Sequence, residues 1–284
     1  MVTIIGDTTS GVPQEVVDKY NMPIIPQVII FGSESYLEGL EIDNASFMEK
    51  LKLADELPKT AAPPPDLFVT EFARLTAQGE EILCILPSSV VSGTVRSATV
   101  AAREFPDADI RIIDTGYIAS PVVTLLRLAA EWAAAGESIA EIESRIYEML
   151  PRCRVYFLVD TLKYMAKGGR IGGAAALLGG MLQVKPVLTL EKGRVEMFDK
   201  VRTKKRAVRC LKKLVGDQYP RESPGYLAVM HAGVPQEAQA FADDLVQALD
   251  IEEEPFILDV PPAIVVHAGP GVLGVSFFVS AQEA

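Results

Sequence analysis

Ser88, Ser89, Ser92, Gly93 and Thr94 crowd hydroxyls and a glycine into one short stretch, directly after the apolar run 82–86 and Pro87. Positions 95–103 then take helical spacing, so the order predicts strand, loop, helix. A loop of this kind sets free backbone N–H groups and hydroxyls at a helix start, where an anion is favoured. A hydroxyl in the same place can equally cap the helix, and the stretch alone supports either use. Asp7, with Thr8 and Thr9, follows an apolar strand at 2–5. A carboxylate at the C-terminal end of a strand sits where open α/β sheets bind ligands. The plainer use of Asp7 is to cap a helix over 13–19.

Among the other reactive residues, only two histidines occur, His231 and His267, so a histidine-rich metal site is excluded. His267 ends a strand-like run, 264–266, beside a glycine-proline turn; a lone histidine there is as a rule structural. Gly269, Gly271 and Gly274 match GxGxxG as a string. The dinucleotide fingerprint needs a following helix, a second strand and an acid about 20 residues on. The sequence after Gly274 reads as a strand, so that context is missing. No GxxxxGK[ST], HExxH or GxSxG occurs. Basic residues gather at 200–213 and again at Lys167 and Arg170; the plain reading is a solvated helix face, the other a dock for an acidic partner or a phosphate.

The elements that must position these residues fall into two rhythms. Over 1–150, strands at 2–5, 24–31, 82–86 and 110–114 alternate with helices at 43–53, 66–77, 95–103, 120–135 and 138–150. This alternation predicts an α/β domain with a parallel sheet covered on both faces. The last helix opens on Ser138 and Glu141, a capping-box spacing. Lys59 to Pro65 reads as a stiff loop, because three prolines fix φ and remove three N–H donors. Over 151–284 the pattern is a strand at 154–159, a short helix closed by Gly168 and Gly169, a glycine-alanine-leucine helix reaching Leu182, and a hairpin around Lys192 and Gly193. A basic helix from Lys204, a strand at 227–231, a helix at 236–249, a strand at 255–260 and the run 264–279 follow. That order predicts an α+β domain with a mixed or antiparallel sheet.

The 284 residues suffice for one large domain or two ordinary ones. With 49% hydrophobic and 23% charged residues the chain is globular and not disordered. A net charge of −11 argues against a nucleic-acid binder, which needs a basic surface. Three cysteines, odd in number and without CxxC spacing, point to the reducing cytoplasm. The stretch MVTIIGDTTSG carries no basic residue and reaches Asp7 early, so it is not expected to act as a signal peptide. No apolar run reaches the roughly 20 residues of a membrane span, so stable membrane insertion is not expected.

Several short stretches share a further property. Asp7-Thr8-Thr9, Lys59-Thr60 with Pro63, Ser88 to Thr94, Leu162 to Ile171, Lys185-Pro186, Val201 to Lys204 and His267 to Gly271 occur in an order and spacing that resembles the DegV family. These are bacterial fatty-acid-binding proteins that serve as acyl carriers for fatty-acid kinase. The resemblance implies two α/β-type domains with a lipid held between them. It implies that Thr60, Ser92 and His267 hold the carboxylate of a long-chain fatty acid, with Gly93 and Thr94 supporting the loop. It implies no catalysis by the chain itself and no cofactor beyond the bound fatty acid; an ATP-dependent kinase subunit would phosphorylate the acid to an acyl phosphate. Arg170 and Arg202 match basic positions near the pocket mouth, where the kinase would dock. Ala61 and Ala62 stand where the family usually has serine and glutamine, and Ala268 where threonine is frequent. Two rivals to this reading are a hydrolase or phosphotransferase using Asp7, Ser92 and His267, and an interaction module that docks without a ligand.

Overall fold

A computed structural model of the chain describes residues 1–177, 184–251 and 254–282. They fall into two compact units, Met1–Leu150 with Pro261–Ala263, and Pro151–Val260 with Ile264–Ala284. The first unit runs β1 (Val2–Asp7), α1 (Gln14–Tyr20), β2 (Ile24–Ile25), β3 (Val28–Phe31), β4 (Glu34–Leu37), α2 (Asn44–Leu53), β5 (Lys59–Ala61), α3 (Pro65–Thr76), β6 (Glu81–Leu86), α4 (Thr94–Ala102), β7 (Ile110–Asp114), α5 (Ser120–Ala134) and α6 (Ile139–Met149).

Its main sheet is parallel, in the order β2-β1-β6-β7. Alternate residues of β6 serve opposite faces. Ile82, Cys84 and Leu86 pack with Phe68, Phe72, Ala98 and Ala101 of α3 and α4. Leu83 and Ile85 are buried as well, which is why the strand reads as continuously apolar. The other face takes α5, which lies so close that a side chain at Gly6 would meet Leu126 at 2.8 Å. Helix α6 carries the capping box: the Ser138 N–H donates to Glu141 Oε2 at 2.9 Å and the Glu141 N–H to Ser138 Oγ at 3.4 Å.

A second sheet corrects two expectations. The run 24–31 is not one strand: β2 pairs with β1, whereas β3 pairs antiparallel with β4 and β5. Pro26 lies at the break, and a residue without an N–H cannot continue a ladder. Lys59 to Ala61, read as loop, form β5, with Thr60 opposite Ile29. The prolines act only beyond it, where Pro65 begins α3 and its fixed φ suits a first helical turn.

The second unit runs β8 (Cys153–Leu158), α7 (Lys163–Gly168), β9 (Lys185–Glu191), β10 (Arg194–Val201), α8 (Lys204–Gln218), β11 (Ala228–His231), α9 (Pro235–Leu249), β12 (Phe256–Asp259), α10 (Pro262–Ala268) and β13 (Leu273–Phe278). Its sheet order is β10-β9-β8-β13-β11-β12. The β11–β12 pair is parallel and the other pairs antiparallel, so the sheet is mixed. Ala207, Leu211 and Val215 of α8 and Phe241 and Leu245 of α9 pack with Tyr156, Val229, Val275 and Phe277 of the sheet. The basic residues of α8 therefore lie off its core stripe. Lys204 pairs with Glu237 at 2.7 Å, and Lys212 pairs with Asp244, so α9 neutralises part of that face.

Three sequence expectations change in this unit. The run 264–266 is helical, within α10, and not a strand. Pro262 starts the helix, and the Gly269 N–H closes it on Val265 O at 2.8 Å. The glycine-alanine-leucine segment forms a 3₁₀ turn over Gly172–Leu177, since Gly172 has φ +51° and cannot continue an α-helix; its part over 178–182 lies outside the described residues. Pro261–Ala263, read as second domain, group with the first unit, where the Ala263 N–H donates to Glu38 Oε1 at 2.7 Å. No helix among the described residues is long and apolar enough to cross a membrane.

Candidate functional site

The loop after β6 is held from within. The Ser88 N–H donates to Tyr117 O at 2.8 Å, and the Ser92 N–H to Ser88 O at 3.0 Å. Gly93 is the N-cap of α4, with no side-chain cap. Ser92 Oγ accepts the Thr94 N–H at 3.3 Å and lies 2.8 Å from Thr94 Oγ1. Neither hydroxyl is a simple cap. Thr94 is fully buried and Ser92 only half-buried.

Thr94 reaches into a polar cluster at the end of β1. Gln27 Nε2 donates to Thr94 Oγ1 at 2.8 Å and to Asp7 Oδ2 at 2.6 Å. Thr94 Oγ1 lies 3.3 Å from the same oxygen of Asp7, and Thr9 Oγ1 donates to Asp7 Oδ1 at 2.6 Å. The capping role for Asp7 is thereby corrected: Pro13 precedes α1, and the Asp7 carboxylate is wholly buried among tertiary partners. Burial outweighs the hydrogen bonds from Thr9, Gln27 and Thr94 and lifts its pKa to about 6. Both oxygens are already engaged by these neutral donors, in the place where a triad would require a histidine.

Glu38 is a second buried carboxylate. It accepts from Thr8 Oγ1 and from the Ala263 N–H, and Thr8 Oγ1 in turn accepts the Gln27 N–H at 2.9 Å. Burial first, and the Asp7 charge after it, raise Glu38 to about 7. Sequence reasoning passed over Gln27 and Glu38. A lone glutamine flanking an apolar strand was a usable signal for the first; Glu38 has none to separate it from Glu34 and Glu41.

Thr60 is half-buried on β5. A Cβ on Gly93 would approach Ala62 Cβ at 3.1 Å, so the chain just beyond Thr60 abuts the residue just beyond Ser92. The first unit thus brings the Thr60 and Ser92 segments together.

In the second unit His267 sits in the last turn of α10 against α7. A Cβ on Gly168 would come within 2.2 Å of His267 Nδ1, so only glycine leaves room for the ring. Arg170 Nη1 donates to Gly168 O at 2.8 Å. Burial, and then the Arg170 charge, lower the pKa of His267 to about 4. At neutral pH the ring is therefore uncharged, with one N–H to donate. An NMR titration should find it losing its proton near pH 4, and Arg170→Ala should move that midpoint up, by less than burial moves it down. A ring charged at pH 7 would contradict this. Arg202 is exposed, next to Thr203, whose hydroxyl accepts the Arg206 N–H and caps α8.

Comparison with known proteins places this geometry. A family model described as "Uncharacterised protein, DegV family" matches residues 1–280. A DegV domain-containing protein of Streptomyces coelicolor is 35% identical over 275 residues, 96% of this chain and 97% of that protein. The fold is shared with solved structures. One is DegV of Bacillus subtilis, described as a fatty acid binding protein, with TM-score 0.88, 29% identity and coverage of 98% of this chain and 99% of that one. Another is a DegV family protein of Thermus thermophilus described by its fatty acid binding, with TM-score 0.89, 26% identity and coverage of 98% and 99%.

Proposed function

The chain belongs to the DegV family, and from that premise we propose that it binds a long-chain fatty acid by its carboxylate and carries it without transforming it. The observation that carries the reading is the half-buried Ser92 hydroxyl, backed by a buried chain of neutral donors and set beside the segment bearing Thr60. A carboxylate leaving water needs hydrogen-bond donors, and hydroxyls supply them without burying a cation. Thr60 and Ser92 are the first unit's donors to the head group, and Gly93 and Thr94 hold the loop in shape. His267, neutral at pH 7, is a further donor. Each buried methylene of the tail contributes about 0.8 kcal/mol, so a dozen give roughly 10 kcal/mol before association costs.

The acid is then handed on. A partner kinase bearing ATP phosphorylates the presented carboxylate, and exposed Arg170 and Arg202 dock that kinase. The setting is the cytoplasm, and neither nucleic acid nor stable membrane insertion is involved. Native mass spectrometry of freshly purified protein, followed by lipid extraction, tests the central claim. The expected result is one long-chain acid per chain, released only on denaturation. Protein that carries no lipid and takes up none when offered oleate would overturn it.

A further inference from the structure

We propose that Asp7, acting through Thr94, is the positioning residue that aims the Ser92 hydroxyl, and that it takes up a proton when a carboxylate binds at Ser92. This rests on the reading of Ser92 as a carboxylate donor.

The available hydrogens are few. Thr94 Oγ1 receives one from Gln27 Nε2 at 2.8 Å and has a single hydrogen of its own. That hydrogen goes either to Asp7 Oδ2, 3.3 Å away, or to Ser92 Oγ, 2.8 Å away. When Asp7 is ionised, it draws the Thr94 hydrogen. Ser92, which already accepts the Thr94 N–H, then donates into the remaining lone pair of Thr94 and turns only its other lone pair outward, which repels a carboxylate. When Asp7 is protonated, its own O–H donates to Thr94 and Thr94 donates to Ser92. The Ser92 hydrogen is then free to meet the ligand. The bound anion and the ionised form of Asp7 therefore compete for the Ser92 hydrogen. Binding draws one proton from solvent onto Asp7, and release returns it.

The surroundings suit such a residue. Asp7 is fully buried. It is faced by Thr9 from its own turn, by Gln27 ahead of β3 and by Thr94 from α4, all neutral. The other carboxylate of the cluster is Glu38, whose own pKa burial first, and then the Asp7 charge, push up to about 7, so it sets no full negative charge against Asp7. Burial has already brought the Asp7 pKa up to about 6, close to neutral pH, so an incoming anion needs to move it only slightly.

The test is calorimetric titration of the full chain with oleate at pH 7, in two buffers of different ionisation heat, which reads protons taken up per ligand. Wild-type protein is expected to take up more than half a proton per oleate. Asp7→Asn should bind oleate with no uptake, and Glu38→Gln should keep the uptake, because Glu38 does not contact Thr94 or Ser92 in the chain of bonds described. Should Asp7→Asn fail to fold, Thr94→Val cuts the same link from the other side and should also abolish uptake. No uptake by the wild type overturns the proposal, as does uptake that persists in both Asp7→Asn and Thr94→Val; loss in Glu38→Gln alone would assign the proton to the wrong carboxylate and overturn it too. Ser92→Ala tested with oleate and methyl oleate separates this from the parent reading. If Ser92→Ala still selectively weakens oleate, only the proton linkage has failed; if it weakens both equally, the carboxylate reading itself has failed.

Discussion

Replacing Thr60 by valine and Ser92 by alanine together should weaken fatty-acid binding by roughly 10²–10⁴-fold and leave the methyl ester of the same acid nearly unaffected. A hydrogen bond to a charged group is worth about 1.5–3 kcal/mol, and each 1.4 kcal/mol is about a tenfold change in affinity. Two such bonds therefore account for the range. The ester supplies the control, because it keeps the tail and loses the charge. Both substitutions nearly preserve side-chain volume, and both positions are only half-buried, so the fold should tolerate them. Competitive displacement of a fluorescent fatty acid by acid and ester would give the two ratios. Equal losses for both ligands would refute the carboxylate role of these hydroxyls.

A second large effect is expected in stability against pH. Glu38 keeps its proton up to about pH 7 in the folded chain, against an ordinary value of 4.5. A raised carboxyl pKa means that the folded state holds a proton the unfolded state has given up. The associated stability is complete below about pH 4.5 and is lost as pH rises through 7. Glu38→Gln removes that loss. Its amide can accept the Ala263 N–H and donate to Thr8 Oγ1, provided that hydroxyl turns its own hydrogen elsewhere. The variant should gain on the order of 2–3 kcal/mol relative to wild type on going from pH 4 to pH 8, since a tenfold change in proton affinity is worth about 1.4 kcal/mol. Urea unfolding at the two values would measure it. A difference between variant and wild type that does not change with pH would show Glu38 to be ionised in the fold. Asp7 acts in the same direction over a lower window, from 3.8 to about 6.

What was legible in the sequence was settled by neighbours along the chain. The unbroken apolar run of β6, the serine and glutamate of the α6 cap and the Lys192–Gly193 turn, with φ of +49° and +80°, each depend on a few adjacent residues. The rest depends on distant partners. Lys59 to Ala61 become a strand only because β3 offers an edge, and three prolines nearby argued locally for a loop. Ile264 to Val266 are β-branched, which favours a strand, yet the proline before them and the glycine after them bound a helix. The polar cluster at the end of β1 was hidden for the same reason. Asp7, Gln27, Glu38 and Thr94 are far apart in sequence, and only the meeting of β1, β3, β4 and α4 makes one hydrogen-bonded group of them.

The short return of Pro261–Ala263 to the first unit bears on any attempt to dissect the molecule. A fragment ending at Leu150 would keep every strand of its own sheets and still lose the amide that satisfies one oxygen of Glu38. Its polar interior would be left with an open valence, so the halves of this protein are not to be had by a single cut.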